Sequence, residues 1–237
     1  MSDVVIHRVT TLDLKVEPWD WPFVVERRAE IDAHFADKQR ENPALWNGRI
    51  LLGRDAVFAD GRLSAHYFET DFASLLAWRD WGFPDRSAFN GFGMGALRSA
   101  DGAFVLGEMG AQTANAGRLY FPAGTPDPGD VSEGRLDIAA NIAREVEEET
   151  GLIPDDYQAA AHWDCVVTGA SIAIMRVLDV ASSGDALQRR IEANLAQQAE
   201  PELSAIRLVR KRGDLTATMP RFVTAFLETH FSEDIAS

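Results

Sequence analysis

Residues 144–152 read Arg144-Glu145-Val146-Glu147-Glu148-Glu149-Thr150-Gly151-Leu152, and the fold turns on how that run is read. Spacings of three and four residues set Glu145, Glu148 and Glu149 on one side of an α-helix. Like charges crowded on one turn repel, and acidic residues in a last turn oppose the helix macrodipole, so helix stability alone did not select them. A divalent cation turns that repulsion into a binding site, because hard cations such as Mg²⁺ take carboxylate oxygens. Gly151 ends the helix as a residue able to adopt the left-handed conformation past its C-terminus. A solvated acidic helix face is the bland alternative, but it would not require Arg144, Gly151 and Leu152 in fixed register with the three glutamates.

Working outward, Ile138, Ala139, Ile142, Ala143 and Val146 recur at helical spacing and face a core, with Asp137 as the expected N-cap. Further upstream stand Tyr120-Phe121-Pro122-Ala123-Gly124 and the turn residues Asp127-Pro128-Gly129-Asp130. Together these segments resemble the signature of the Nudix hydrolase family, G-x5-E-x7-R-E-U-x-E-E-x-G-U with U aliphatic. The second half is matched by Arg144, Glu145, Val146, Glu148, Glu149, Gly151 and Leu152. The first half is looser. Ala123 stands where a glycine is usual, and Asp130, six residues after Gly124, stands where the family has Glu. Thirteen residues separate Asp130 from Arg144, which reads as a six-residue insertion, Val131-Ser132-Glu133-Gly134-Arg135-Leu136. Two readings of Asp130 stay open, a metal-loop residue or a turn residue.

The resemblance implies an α/β fold, an α/β/α sandwich with a mixed sheet over residues 89–237, with a smaller α+β accessory region at 1–88. It implies a metal-dependent pyrophosphohydrolase that cleaves the P–O–P bond of a nucleoside diphosphate linked to another moiety. Mg²⁺ is the implied cofactor, and Mn²⁺ can substitute. Carried over residue by residue, the metal ligands are Glu145, Glu148 and Glu149 with the backbone carbonyl of Ala123 or Gly124. The catalytic set is Glu145, Glu148 and Arg144, the arginine orienting a glutamate by an ion pair, with Glu148 one turn away. A weaker likeness of Arg28-Ala29-Glu30, of residues 42–48 and of residues 67–81 to Nudix proteins that hydrolyse UDP-sugars favours an NDP-sugar substrate. An insertion in the same loop also occurs in CoA diphosphatases of the family, so CoA or acyl-CoA is the alternative. A non-catalytic Nudix-fold nucleotide sensor is a third reading, disfavoured because all three glutamates are present. A homodimer is an expectation by analogy only.

Other candidates carry less. Glu202, in Glu200-Pro201-Glu202, sits in a Pro-stiffened loop that can aim a further carboxylate at the site. Arg118 is taken as substrate-binding, and Arg79, Arg86 and Arg98 also offer guanidinium forks suited to phosphate. Trp78 and Trp81, three residues apart, suit core packing better than stacking on a base. The five histidines are scattered without metal-ligand spacing. A calcium loop at 127–131 fails, because Gly129 and Val131 stand where oxygen ligands are needed.

Composition bounds the rest. A net charge of −14 argues against a nucleic acid polymer as partner. It also repels a small phosphate substrate unless metal and local arginines reverse the field. No run of 18 apolar residues and no basic-apolar leader occur, so a cytoplasmic protein with no membrane partner is expected. Cys165 is the only cysteine and, flanked by Val166 and Val167, reads as a buried strand residue. Helices are expected at 24–41, 70–81, 184–197 and 221–231. Strands are expected at 163–168, 172–178 and 205–209, with hairpins around Asp60-Gly61 and Asp101-Gly102.

Overall fold

A computed structural model describes residues 4–113 and 115–233, and within them two sheets. Both expected hairpins form. Asp60 and Gly61, at φ 50° and 68°, join β3 (Arg49–Ala59) to β4 (Arg62–Asp71), the positive φ pair that a tight two-residue hairpin turn requires. The turn at Asp101-Gly102 joins β5 (Asn90–Ser99) to β6 (Phe104–Met109). Two strands that the sequence reading did not expect open the chain, β1 (Val4–Val9) and β2 (Thr11–Val16).

The larger sheet runs β1, β12 (Trp163–Thr168), β13 (Ser171–Val180), β5, β6 and β14 (Leu203–Val209). Strands β13 and β5 are parallel and the other neighbours antiparallel, so the sheet is mixed. Three short strands extend it: β7 (Leu119–Tyr120) on β6, β8 (Ala123–Gly124) on β5, and β11 (Tyr157–Ala159) on β13. On one face lie α3 (Ile138–Thr150) and α4 (Gly184–Leu195), which bury Ile142, Val146, Leu187 and Ile191 against Leu97, Ile174 and Leu178. On the other lies α5 (Arg221–Glu233), whose Val223, Phe226 and Leu227 pack on Met94, Phe104 and Met175. Each fully buried side chain of this size contributes about 1.5–3 kcal/mol. The result is an α/β/α sandwich around a mixed sheet.

The smaller sheet runs β3, β4, β2, β10 (Arg135–Leu136) and β9 (Val131–Ser132), and α1 (Pro22–Glu41) and α2 (Phe72–Asp80) join Trp21, Ile31, Phe68 and Trp78 into a separate core beside it. The boundary expected at residue 88 is crossed in both directions. Strand β1 belongs to the larger sheet, paired with β12 from Val4↔Thr168 to Val9↔Trp163. The inserted segment 131–136 is no loose loop: it folds as the hairpin β9–β10 and pairs with β2 of the smaller sheet through Arg135↔Lys15. Helix α3 reaches its place because β5 carries glycines beneath it. A Cβ on Gly93 would stand 2.8 Å from Ile142, and one on Gly95 2.6 Å from Val146, so only side-chain-free backbone lets the helix lie this close.

Candidate active site

Asp137 caps α3 as expected, its Oδ1 accepting the Ala140 N–H at 3.0 Å, and Gly151 ends the helix at φ 71°. Strand β8 lies on β5 through Gly93↔Gly124 and Met94↔Ala123, directly beside that helix. The two halves of the sequence pattern therefore meet in space. The Ala123 N–H donates to the Glu149 carboxylate at 3.1 Å. Gly124 is in contact with Glu145, so that a Cβ at this position would overlap the carboxylate.

The three glutamates differ in exposure. Glu149 is 7% exposed and the Glu145 side chain 13%, whereas the Glu148 side chain is 61% exposed. Burial pushes the Glu145 carboxyl up to about 7, against the pull of the Arg144 guanidinium and with help from the charges of Glu148 and Glu202. Burial likewise holds Glu149 well above the ordinary carboxylate range, opposed by the Ala123 N–H and reinforced by Glu145, Glu202 and Glu148. Glu202 is itself exposed, and the loop brings its charge within reach of both buried glutamates.

Arg144 is held from two sides. Its nearest carboxylate partner is Glu145, at 2.7 Å, with Glu148, one turn away, at 3.6 Å. It also donates to Asp130, at 3.3 Å. Asp130 is buried and further accepts from Asn141 Nδ2 at 2.9 Å and from the Asp127 N–H at 3.0 Å. Its carboxylate thus takes protein donors, most of them on Oδ2, and anchors the arginine, which makes it more than a turn residue.

Among the described residues no three His, Cys, Asp or Glu side chains stand in metal-holding geometry. The donor chemistry nonetheless fits a hard divalent cation. Two buried carboxylates carry each other's repulsion, a third and a fourth add to it, and the backbone of Ala123–Gly124 touches both.

Beside this cluster opens a cavity of about 240 Å³. Glu149, Ala123 and Gly124 line one part of it, and Asn90, Phe92 and Phe222 another. Arg79, from α2, reaches its rim. Arg118 is exposed and is not among the lining residues, although its charge and that of Arg79 both act on Tyr120, whose hydroxyl burial pushes up. The remaining candidates lie elsewhere. Arg98 pairs with Asp179 at 2.7 Å across β5 and β13. Trp78 is fully buried, and Trp81 packs on Phe23 and His34 with Arg27 over its ring at 4.1 Å. Arg28 donates to Asp71 at 2.8 Å, so these two residues of the UDP-sugar-like segments tie α1 to the start of α2. Cys165 is buried, its thiol pushed by burial up to about 12. No described helix is long and apolar enough to cross a membrane. Asn90, Phe92 and Phe222 were not singled out as site residues from sequence: they come from the start of β5 and from α5, segments far apart in the chain with no shared motif to betray them.

No family model matches the sequence, and no curated protein matches it. Among solved structures the chain is similar to RenU, a Nudix hydrolase from M. smegmatis, at 12% identity over 62% of this chain and 86% of that one, with a TM-score of 0.39. It is similar to the MutT protein from Methanosarcina mazei Go1 at 20% identity over 63% and 96%, TM-score 0.36. A bifunctional NMN adenylyltransferase/ADP ribose pyrophosphatase from Francisella tularensis matches at 12% identity over 61% of this chain and 39% of that one, TM-score 0.34. At such identities and TM-scores these likenesses carry no functional weight, and function has to be read from the side chains.

Proposed function

We propose that the protein is a divalent-metal-dependent pyrophosphohydrolase that cleaves the P–O–P bond of a nucleoside diphosphate linked to another moiety, an NDP-sugar being favoured. The observation that carries this reading is the convergence of the buried Glu149 and the largely buried Glu145 on the backbone of Ala123–Gly124 at the wall of a cavity. Glu145, Glu148 and Glu149, with a carbonyl of Ala123 or Gly124, would hold Mg²⁺ or Mn²⁺. When bound, the metal neutralises the diphosphate and lowers the pKa of a water. The chain's own residues do the rest. A carboxylate of the cluster takes the proton of the attacking water, Arg144 keeps Glu145 aimed through their ion pair, and Arg79 offsets phosphate charge at the rim. A water oxygen bonds to one phosphorus, the bridging P–O bond breaks, and two phosphate monoesters leave. The test is nucleoside monophosphate release from NDP-sugars with Mg²⁺, Mn²⁺ or EDTA. Turnover should require the metal, and Glu149→Gln should lower kcat at least about a hundredfold while leaving the fold intact. Full activity in that variant overturns the site. Release of adenosine bisphosphate from CoA would move the substrate to the alternative class.

A further inference from the structure

The cavity next to the carboxylates has a wall and a floor of different chemistry, and what it holds can be argued from them, on the reading above that the carboxylates handle a phosphate anhydride. The wall is aromatic. The Phe222 ring lies 5.5 Å from Phe92 at 70° and 6.0 Å from Tyr120 at 42°. All three rings are half-buried and line the cavity together with the fully buried Phe121, whereas Phe104 and Phe226, which pack on Phe121, are enclosed. Half-open aromatic surface gathered around one cavity suits a second planar group, which buries large area against it at small entropic cost. A flexible acyl or pantetheine chain offers no such planar face.

The floor is polar. Asn90 starts β5 opposite Ser171 of β13, and both line the cavity. The Asn90 Oδ1 is enclosed and accepts no hydrogen bond. An enclosed acceptor without a donor is destabilising, and a ligand N–H relieves it. Beside it the same amide carries the Nδ2 donor, so Asn90 offers an acceptor and a donor side by side, the complement of a nucleobase edge. Arg79 stands at the rim, where its guanidinium fork matches phosphate oxygens.

We propose that this cavity is a nucleobase subsite in which Asn90 reads the hydrogen-bonding edge of the base, Phe92, Tyr120 and Phe222 pack on its faces, and Arg79 of the accessory region holds the adjoining phosphate. A nucleotide seated this way carries its phosphates toward Glu149, which lines the same cavity. Asn90 is thereby the specificity-determining residue, and the accessory region contributes to substrate binding through α2.

Calorimetric titration of the full chain in EDTA with UMP, CMP, AMP and GMP, against ribose 5-phosphate, reads base recognition without turnover. At least one nucleotide should bind about tenfold or more tightly than ribose 5-phosphate. Asn90→Ala and the near-isosteric Asn90→Asp should each remove about tenfold of that advantage and leave ribose 5-phosphate binding unchanged. Arg79→Ala should weaken all five ligands alike. Should neither Asn90 variant fold, Phe222→Ala serves the same purpose, with a similar loss of the base advantage expected. Ribose 5-phosphate binding as tightly as every nucleotide, or folded variants that keep the wild-type preference, overturns the proposal. Base-selective binding with no hydrolysis of any NDP-sugar supports the subsite and removes the hydrolytic reading; hydrolysis without base preference does the reverse.

Discussion

Replacing Glu145 with Gln should stabilise the protein at alkaline pH and hardly at all at acid pH. Its carboxyl is raised from 4.5 to about 7, chiefly by burial. The folded chain keeps this proton up to about pH 7, while the unfolded chain releases it near 4.5, so folding takes up a proton between those values. The stabilisation tied to the protonated form is fully present below 4.5 and is lost as pH rises through about 7. At about 1.4 kcal/mol per pH unit across that window, ionised Glu145 costs about 3 kcal/mol, lowered toward about 2 by water reaching the partly exposed side chain. Glutamine mimics the protonated form at every pH. The variant should therefore lie within about 1 kcal/mol of wild type at pH 5 and exceed it by about 2–3 kcal/mol at pH 8.5, about 4–12 °C in Tm for a chain of this size. Urea unfolding in EDTA, followed by the fluorescence of the six tryptophans, measures both. A gain of equal size at both pH values, or none at pH 8.5, refutes the claim that an ionised carboxylate is held here at a cost. Mg²⁺ at pH 8.5 should narrow the gap by stabilising wild type more than the variant.

Two further substitutions test how the cluster is framed. Asp130→Asn removes the charge that faces Arg144 and exchanges an acceptor oxygen for a donor amid Asn141 Nδ2 and the Asp127 N–H, so a loss of about 1–3 kcal/mol in urea is expected, with a fall in kcat larger than any change in KM. An unchanged unfolding midpoint would show the anchor to be dispensable. Gly124→Ala places a methyl on the Glu145 carboxylate, and at least about tenfold loss of turnover should accompany it, with substrate titration and melting curves separating site damage from unfolding.

What the sequence revealed and what it hid follow from how far each signal reaches along the chain. Helix α3 was legible because its apolar stripe, Asp137 cap and Gly151 stop all lie within fifteen residues. The hairpins were legible because Asp-Gly pairs announce their turns. Strand β1 was not, since six residues give little periodicity and its partner β12 lies some 160 residues away, Val4 facing Thr168. The hairpin in the insertion escaped for a related reason: its Glu133-Gly134 turn has φ 50° and 71°, but strands of two residues carry no pattern. Of the site, the glutamates and Arg144 were readable as a local motif. Their unequal burial was not, because β8, whose Ala123 and Gly124 touch Glu149 and Glu145, lies outside the helix's own sequence. Asn90, Phe92 and Phe222 were invisible for the same reason: a cavity wall assembled from β5 and α5 has no signature in either segment.

The hairpin in the insertion and the position of Arg79 bear on the problem posed by the net charge. A chain at −14 that presents four carboxylates beside its cavity should repel any phosphate ligand. Three features lower that barrier locally. Burial raises the Glu145 carboxyl to about 7 and holds Glu149 well above the ordinary carboxylate range, which favours a cluster less charged than its residue types imply. Arg144 stays in the cluster rather than being drawn off by solvent, because Asp130 anchors it from the opposite side. And the smaller sheet, tied to the metal-motif segment by β9–β10 and carrying α2, delivers Arg79 to the cavity rim. The accessory region thus adds the positive charge of Arg79 to a cavity whose other lining residues carry only the acidic Glu149.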